Sequence, residues 1–298
     1  MAQSPLADFR KYAGMIAPIL RRGFEFSDQA ESATAIQVER GTVLPLLLNE
    51  LTDEGLARVG RLIEVTRGGR LDTIAIVDRS GHHRPIYRPL LVYAWLSAFS
   101  LRYEDLPQQE FGRWEEALRA WSDLLESELG EIGWNQTSAW AARGSSTSEA
   151  CWIALALHRA GKVYVRDVWI DLASDLFGKL LKAQQPSGAF LEMTAADSPE
   201  ARGFDELAIL HATAAYAVMA EDRTVAAAVK RNTEFHLRET QPDHATTQPF
   251  GLFAFIWNGG TRSVADQMLN NVSMKSEPDG VTQILLADVM QCLKLFGV

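Results

Sequence analysis

The amino-acid sequence predicts an all-α protein whose helices form two concentric layers. Apolar residues recur every three or four positions over most of the 298 residues, the period of a helix face. Four segments are apolar almost all round: 88–101 (RPLLVYAWLSAFSL), 149–160 (EACWIALALHRA), 204–219 (FDELAILHATAAYAVM) and 249–257 (PFGLFAFIW). Each precedes an amphipathic partner, at 107–128, 166–184, 222–238 and 262–274. A helix apolar on every side must be enclosed on every side, whereas an amphipathic one is half solvated. Enclosed and half-enclosed helices in strict turn describe an inner ring wrapped by an outer one.

The elements follow in order. The N-terminal stretch MAQSPLADFRKYAGMIAPILRRG is amphipathic, interrupted by Pro18, and reads as an outer helix. Residues 43–50 are a candidate inner helix. Residues 53–66 place Leu56, Val59, Leu62 and Ile63 on one face, with Thr52 as N-cap, and form a candidate outer helix. Residues 71–88 break the pattern: a β-type run from Thr73 to Val77, a Ser80-Gly81 turn and a second extended piece predict a small β-hairpin insertion. No glycine-rich phosphate loop precedes Asp78, so the strand does not read as part of a nucleotide fold. In 109–128, Phe111, Trp114, Leu118, Trp121 and Leu125 share a face. Ser146 and Glu149 have capping-box spacing ahead of the next apolar run. In 166–184, Trp169, Leu172, Leu176 and Leu180 face inward. Gly188, Gly203, Gly251 and Gly280 punctuate later loops or helix starts, and 281–296 is the last inner candidate. The count approaches six inner and six outer helices in one domain spanning 1–298.

Composition excludes several classes. Hydrophobic residues are 47% of the chain, enough for a large core and too many for disorder. With 29 Lys+Arg against 38 Asp+Glu the net charge is -9, a field that repels phosphate backbones, so no nucleic-acid partner is expected. No stretch approaches the roughly 18 apolar residues of a membrane helix. The N-terminus lacks the apolar core and small-residue cleavage site of a signal peptide. Cys151 and Cys292 sit in apolar helical context and read as buried reduced thiols, which fits a cytoplasmic location. The glycosylation-type triplets at Asn135 and Asn271 then read as chance.

One motif carries a family resemblance. Residues 181–190 read LKAQQPSGAF, and Gln185, Gly188 and Phe190 give Q-x-x-G-x-F between two helices. This resembles the turn of the α/α-toroid proteins, among them terpenoid cyclases, protein prenyltransferase β-subunits, polysaccharide lyases and glycoside hydrolases. The resemblance implies that the Gln ends an outer helix and the aromatic packs toward the next inner one. It implies a fold and not a reaction. The chain has no adjacent Asp pair, so the D-x-D-D and D-D-x-x-D acid motifs of terpenoid cyclases and synthases are missing. Neither Cys has the context of the prenyltransferase zinc site.

The resemblance also implies that the loops entering the inner helices line the mouth of a central cavity, so polar residues there are the candidate site. Asp205, Glu206 and His211 in GFDELAILHA could pair a carboxylate with an imidazole; a helix-start acid pair and a core histidine is the plainer reading. The polar stretch 236–251 offers Asp243, His244 and Gln248 ahead of the most apolar inner helix, the preferred site; it reads equally as ordinary turn and capping chemistry. The stretch from 134 to 152 offers Trp134, Asn135, Trp140, Arg143 and Glu149, a set suited to stacking on and hydrogen-bonding a sugar or to holding an apolar ligand. Trp152 and Trp169 read as core. Asp167, Asp171 and Asp175 fall on the solvent face of an outer helix, and adjacent His82 and His83 would point to opposite sides of a strand, so no metal site is expected.

The expected function is an enzyme acting on a saccharide in a central cavity, a hydrolase or a lyase, with no cofactor. Hydrolysis needs two carboxylates roughly 5–9.5 Å apart. Catalysis would fall to Asp205, Glu206, His211, Asp243 and His244, and substrate binding to Trp134, Asn135, Trp140, Arg143, Glu149 and Gln248. The ligand would be an oligosaccharide or another small molecule. A terpenoid-cyclase-like protein holding an apolar isoprenoid-type chain, and a non-catalytic binding scaffold, are the alternatives.

Overall fold

A computed structural model describes residues 5–21, 35–37, 70–78, 81–102, 104, 108–134, 144–192, 199–240, 248–274 and 278–298. The inner candidate at 43–50 and the outer candidate at 53–66 lie outside these. The helices are α1 (Pro5–Arg21), α2 (Tyr87–Arg102), α3 (Gln108–Ile132), α4 (Gly144–Tyr164), α5 (Asp167–Ala183), α6 (Pro199–Met219), α7 (Arg223–Phe235), α8 (Leu252–Trp257), α9 (Arg262–Ser273) and α10 (Gly280–Lys294).

Burial sorts these helices into two layers. From Ala150 to Leu157 in α4 every residue is buried, as is nearly all of α2 from Leu90 to Phe99 and of α6 from Glu206 to Ala217. In α3 only a stripe is enclosed: Trp114, Leu118, Trp121, Leu125 and Leu129, a helix face repeated over four turns. α5 encloses Trp169, Ala173, Leu176, Phe177 and Leu180, while Asp167, Asp171 and Asp175 are exposed on its other side. The inner helices α2, α4, α6, α8 and α10 pack successively side by side. Outside them, α3 covers α2 and α4, α5 covers α4, α7 covers α6 and α8, and α9 covers α8. α1 lies against α9 and α10, so the first helix of the chain completes the outer layer beside the last.

Polar contacts tie the inner helices together at their centre. Tyr93 of α2 donates to Asp288 of α10 at 2.7 Å, and His211 of α6 shares a 3.1 Å hydrogen bond with the other oxygen of the same carboxylate. The Gly251 N–H, at the entrance to α8, reaches His211 Nδ1 at 3.2 Å. Gly251 adopts φ +77°, a left-handed conformation suited to glycine, and that geometry aims its N–H at the ring. The architecture is therefore all-α, in the two-layer α/α-toroid arrangement.

Helix starts differ from the sequence reading in two places. α6 begins at Pro199, where the missing N–H costs nothing, so Asp205 and Glu206 lie in its second turn and not at its opening. α4 begins at Gly144, ahead of the Ser146–Glu149 capping box. The extended segment near 71–88 resolves into β2 (Ala75–Val77) and a single antiparallel bridge from Val77 to His83, before α2 starts at Tyr87. The main partner of β2 is the parallel strand β1 (Ala35–Gln37), in register Ala35 to Ala75.

The Q-x-x-G-x-F turn joins α5 to α6. Gln185 follows α5, its side chain donating to the Ala183 carbonyl at 2.9 Å, and Phe190 is buried ahead of α6. Gly188 has φ +100°, and a Cβ there would stand 2.5 Å from the Arg231 carbonyl oxygen of α7. Close approach of two backbones and a left-handed φ both demand glycine.

Candidate functional site

The inner helices run parallel, so their starts share one mouth of the ring and their ends the other. At the first mouth the second turn of α4 carries Ser148 and Glu149, and the second turn of α6 carries Asp205. The Ser148 hydroxyl donates to Asp205 Oδ1 at 2.8 Å, so these two helix starts are in direct contact. The first turn of α2 brings Arg88, which pairs with Glu128 of α3 and donates to the Ile74 carbonyl at 3.0 Å. Glu149 lies in the fields of Arg88 and His83; burial nevertheless lifts its carboxyl above the usual range, against the pull of those two groups. Burial lowers the Arg88 guanidinium, and Glu149 and Asp72 oppose that shift.

Gln248, just ahead of α8, stands beside the Tyr87 hydroxyl and acts to lower its phenol, against burial, which raises it. Arg84 stacks over Phe204 at 4.3 Å, and Phe204 meets Phe250 edge-on at 5.1 Å. Asp279 caps α10, accepting the Thr282 N–H at 2.6 Å. Acids, cations and hydrogen-bonding groups thus face one another across a surface on which the positive ends of the inner helices converge.

The sequence-predicted residues fall into four groups. Glu149 and Asp205 lie on the two helix starts joined by the Ser148–Asp205 hydrogen bond, and Gln248 lies beside Tyr87. Glu206 turns away from it: Oε1 accepts the Leu191 N–H at 2.7 Å, and Oε2 accepts the Phe190 N–H and the Asn232 amide at 3.2 Å each. It is 2% exposed and holds the Q-x-x-G-x-F turn against α6 and α7. His211 lies deeper, at the ring centre, stacked on Trp152 at 5.4 Å. Its Nδ1 accepts a backbone N–H, so Nε2 carries the proton shared with Asp288. Trp134 is half-buried behind the inner ring, with the Lys179 ammonium of α5 4.2 Å over its ring. Asn135, Trp140, Arg143, Asp243 and His244 lie outside the described residues.

Sequence reasoning missed Arg88, Tyr87, Tyr93 and Asp288. A signal existed for two of them. Arg88 opens an otherwise apolar helix, and Asp288 is the one acid inside ILLADVMQCL; a lone charge in an enclosed helix needs a partner. Both cysteines are buried and unbridged, and burial pushes both thiols up. Among the described residues no three His, Cys, Asp or Glu side chains form a metal-binding group, and no helix is long and apolar enough to cross a membrane.

The class this fold and mouth define is an α/α-toroid protein with a polar rim of carboxylates and guanidinium groups. No protein-family model and no curated protein matches the chain. Among solved structures it is similar to the GH76A alpha-1,6-mannanase of Salegentibacter sp. HEL1_6, at 11% identity and a TM-score of 0.48, over 98% of this chain and 99% of that one. An inactive variant of that enzyme in complex with alpha-1,6-mannotetrose matches at 11% identity and a TM-score of 0.47, with the same coverage.

Proposed function

We propose that the chain is a saccharide-acting enzyme, a glycoside hydrolase, working at the mouth formed by the starts of the inner helices. The observation that carries this reading is the contact of two inner-helix starts, Ser148 with Asp205, next to the half-buried carboxyl of Glu149 and the guanidinium of Arg88. Glu149 is the proton donor. Its burial favours the protonated form, as a general acid acting near neutral pH requires. It gives its proton to the glycosidic oxygen as the bond to the anomeric carbon breaks. Asp205, held by Ser148, is the second carboxylate; it takes a proton from the water that attacks that carbon. Gln248 and Tyr87 hydrogen-bond sugar hydroxyls. Asp243, His244, Asn135, Trp140 and Arg143 lie on segments that lead into α8 and α4, and they and Trp134 complete the substrate surface. His211 positions the centre of the ring through Asp288, and Glu206 positions the turn into α6. A charged, hydrogen-bonding mouth suits a polyhydroxylated substrate better than an isoprenoid chain.

The test is turnover of an oligosaccharide panel by the full chain, read as new reducing ends. Glu149→Gln and Asp205→Asn should each lower kcat about 10²–10⁴-fold on whichever substrate is cleaved. Full activity in either variant removes that residue from the mechanism. Failure of the wild type to cleave or bind any glycan overturns the reading.

A further inference from the structure

A cavity of about 600 Å³ opens at the opposite mouth, among the ends of the inner helices. It touches none of the groups assigned above to proton transfer or sugar binding, and its walls are chemically divided. One wall comes from α2 and α4: Ser97, His158, Arg159 and Lys162. The rest of the lining combines apolar Met219, Trp257, Leu295 and Phe296 with Glu221, Asp222, Arg223 and Gln291 at its edge.

The polar wall leaves several hydrogen-bonding atoms unmatched. His158 is 2% exposed, and no protein group hydrogen-bonds either of its ring nitrogens. The Ser97 hydroxyl, on a residue 4% exposed, has no protein partner, and neither does the buried Nε of Arg159. Four buried polar atoms from two adjacent helices therefore line one cavity without a protein partner. Leaving such a group unmet costs about 1–3 kcal/mol each. Both oxygens of Asp288, which also lines the cavity, are taken by Tyr93 and His211. Asp222 of the cavity lining is likewise engaged, capping α7 at the Thr224 and Val225 N–H groups.

We infer that this cavity is a ligand site for a small amphipathic acid, a carboxylate head on an apolar body. The head accepts hydrogen bonds from Arg159, Ser97 and the imidazole N–H of His158, with Lys162 adding charge. The body lies against Trp257, Phe296 and Leu295. Three groups aligned on one wall as donors suit an acceptor-rich anion, and Arg is the side chain whose fork matches a carboxylate. The volume falls in the range of small-molecule sites. Lys162 and Arg159 also keep His158 neutral, its pKa lowered to about 4 by burial and by those two charges, so the ring offers one N–H donor at neutral pH. The site is independent of the saccharide reading and stands if that reading falls.

The experiment titrates the full chain with octanoate, octanamide and inorganic phosphate, following heat of binding and the imidazole resonances of His158. Octanoate should bind saturably and shift the His158 signals. Octanamide and phosphate should each bind at least about tenfold more weakly, since each lacks one half of the recognition. Arg159→Gln should weaken octanoate about tenfold and Trp257→Ala about fivefold, with circular dichroism confirming the fold of both. Equal binding of octanoate and octanamide overturns the anionic head, and phosphate binding as tightly as octanoate overturns the apolar body. Octanoate affinity unchanged in both variants overturns the location. No binding of octanoate at all means the polar wall serves water alone, which overturns the proposal.

Discussion

Glu206→Gln separates a structural carboxylate from a catalytic one. The wild-type side chain accepts three hydrogen bonds, from Leu191 N–H at 2.7 Å and from Phe190 N–H and the Asn232 amide at 3.2 Å. Glutamine keeps one acceptor oxygen and replaces the other with a donor. Whichever way the amide turns, at least one buried N–H then faces an NH₂ group. Losing a charge-assisted bond costs about 1.5–3 kcal/mol, and stranding the N–H about 1–3 kcal/mol more. The neutral amide is easier to bury than a carboxylate, which offsets part of this. The net expectation is about 3 kcal/mol, or roughly 5 °C in Tm for a chain this long. Thermal unfolding followed by circular dichroism reads it directly, with Glu206→Ala as a more severe companion. A Tm within about 1 °C of wild type, combined with loss of turnover, would refute the assignment and return Glu206 to the chemistry.

Three further outcomes are expected. Gly188→Ala combines a disfavoured φ of +100° with a Cβ 2.5 Å from a backbone carbonyl, so it should destabilise the protein by about 3 kcal/mol or more in urea unfolding. His158 and His236 are held neutral, at about 4 and about 3, so unfolded chains bind protons that the folded chain refuses as pH falls below about 6.5; stability is full above that value and should drop by about 4 kcal/mol between pH 7 and 5, about half of it removed in His158→Gln. Glu149 is raised, so its ionisation opposes folding as pH climbs from the ordinary carboxylate value through the folded one; Glu149→Gln should therefore melt no lower than wild type at pH 7 and gain about 1–2 °C relative to its difference at pH 4.

What was legible in the sequence was periodic. The stripe Trp114–Leu118–Trp121–Leu125 and the unbroken burial of Ala150–Leu157 follow from spacing alone, and together they separate outer from inner helices. The Q-x-x-G-x-F turn was legible because its glycine meets a local backbone demand. The partners were not. β2 pairs with a strand about forty positions earlier, and nothing in an apolar run names its neighbour. Glu206 reads as one of two helix acids until the turn that donates to it, 15 and 16 residues upstream, folds back. Asp288 meets Tyr93 across 195 residues, a contact that only ring closure creates. The divided cavity was invisible for a further reason. Its polar wall is defined by bonds left unmade, and a pattern of residue types carries no record of those.

The carboxylate of Asp288 has a consequence for assembly. It belongs to the last helix of the chain, and it accepts from the first of the inner helices described here and from a third in between. α1 rests on that same helix. During synthesis the earlier helices can stack into an open arc, but the arc has no keystone until residues 280–294 leave the ribosome. Its two ends would meanwhile present apolar flanks to the cell. A nascent chain of this design is expected to need shelter until the fifteen residues of α10 arrive, and release of a product lacking them should yield aggregate and not a smaller ring.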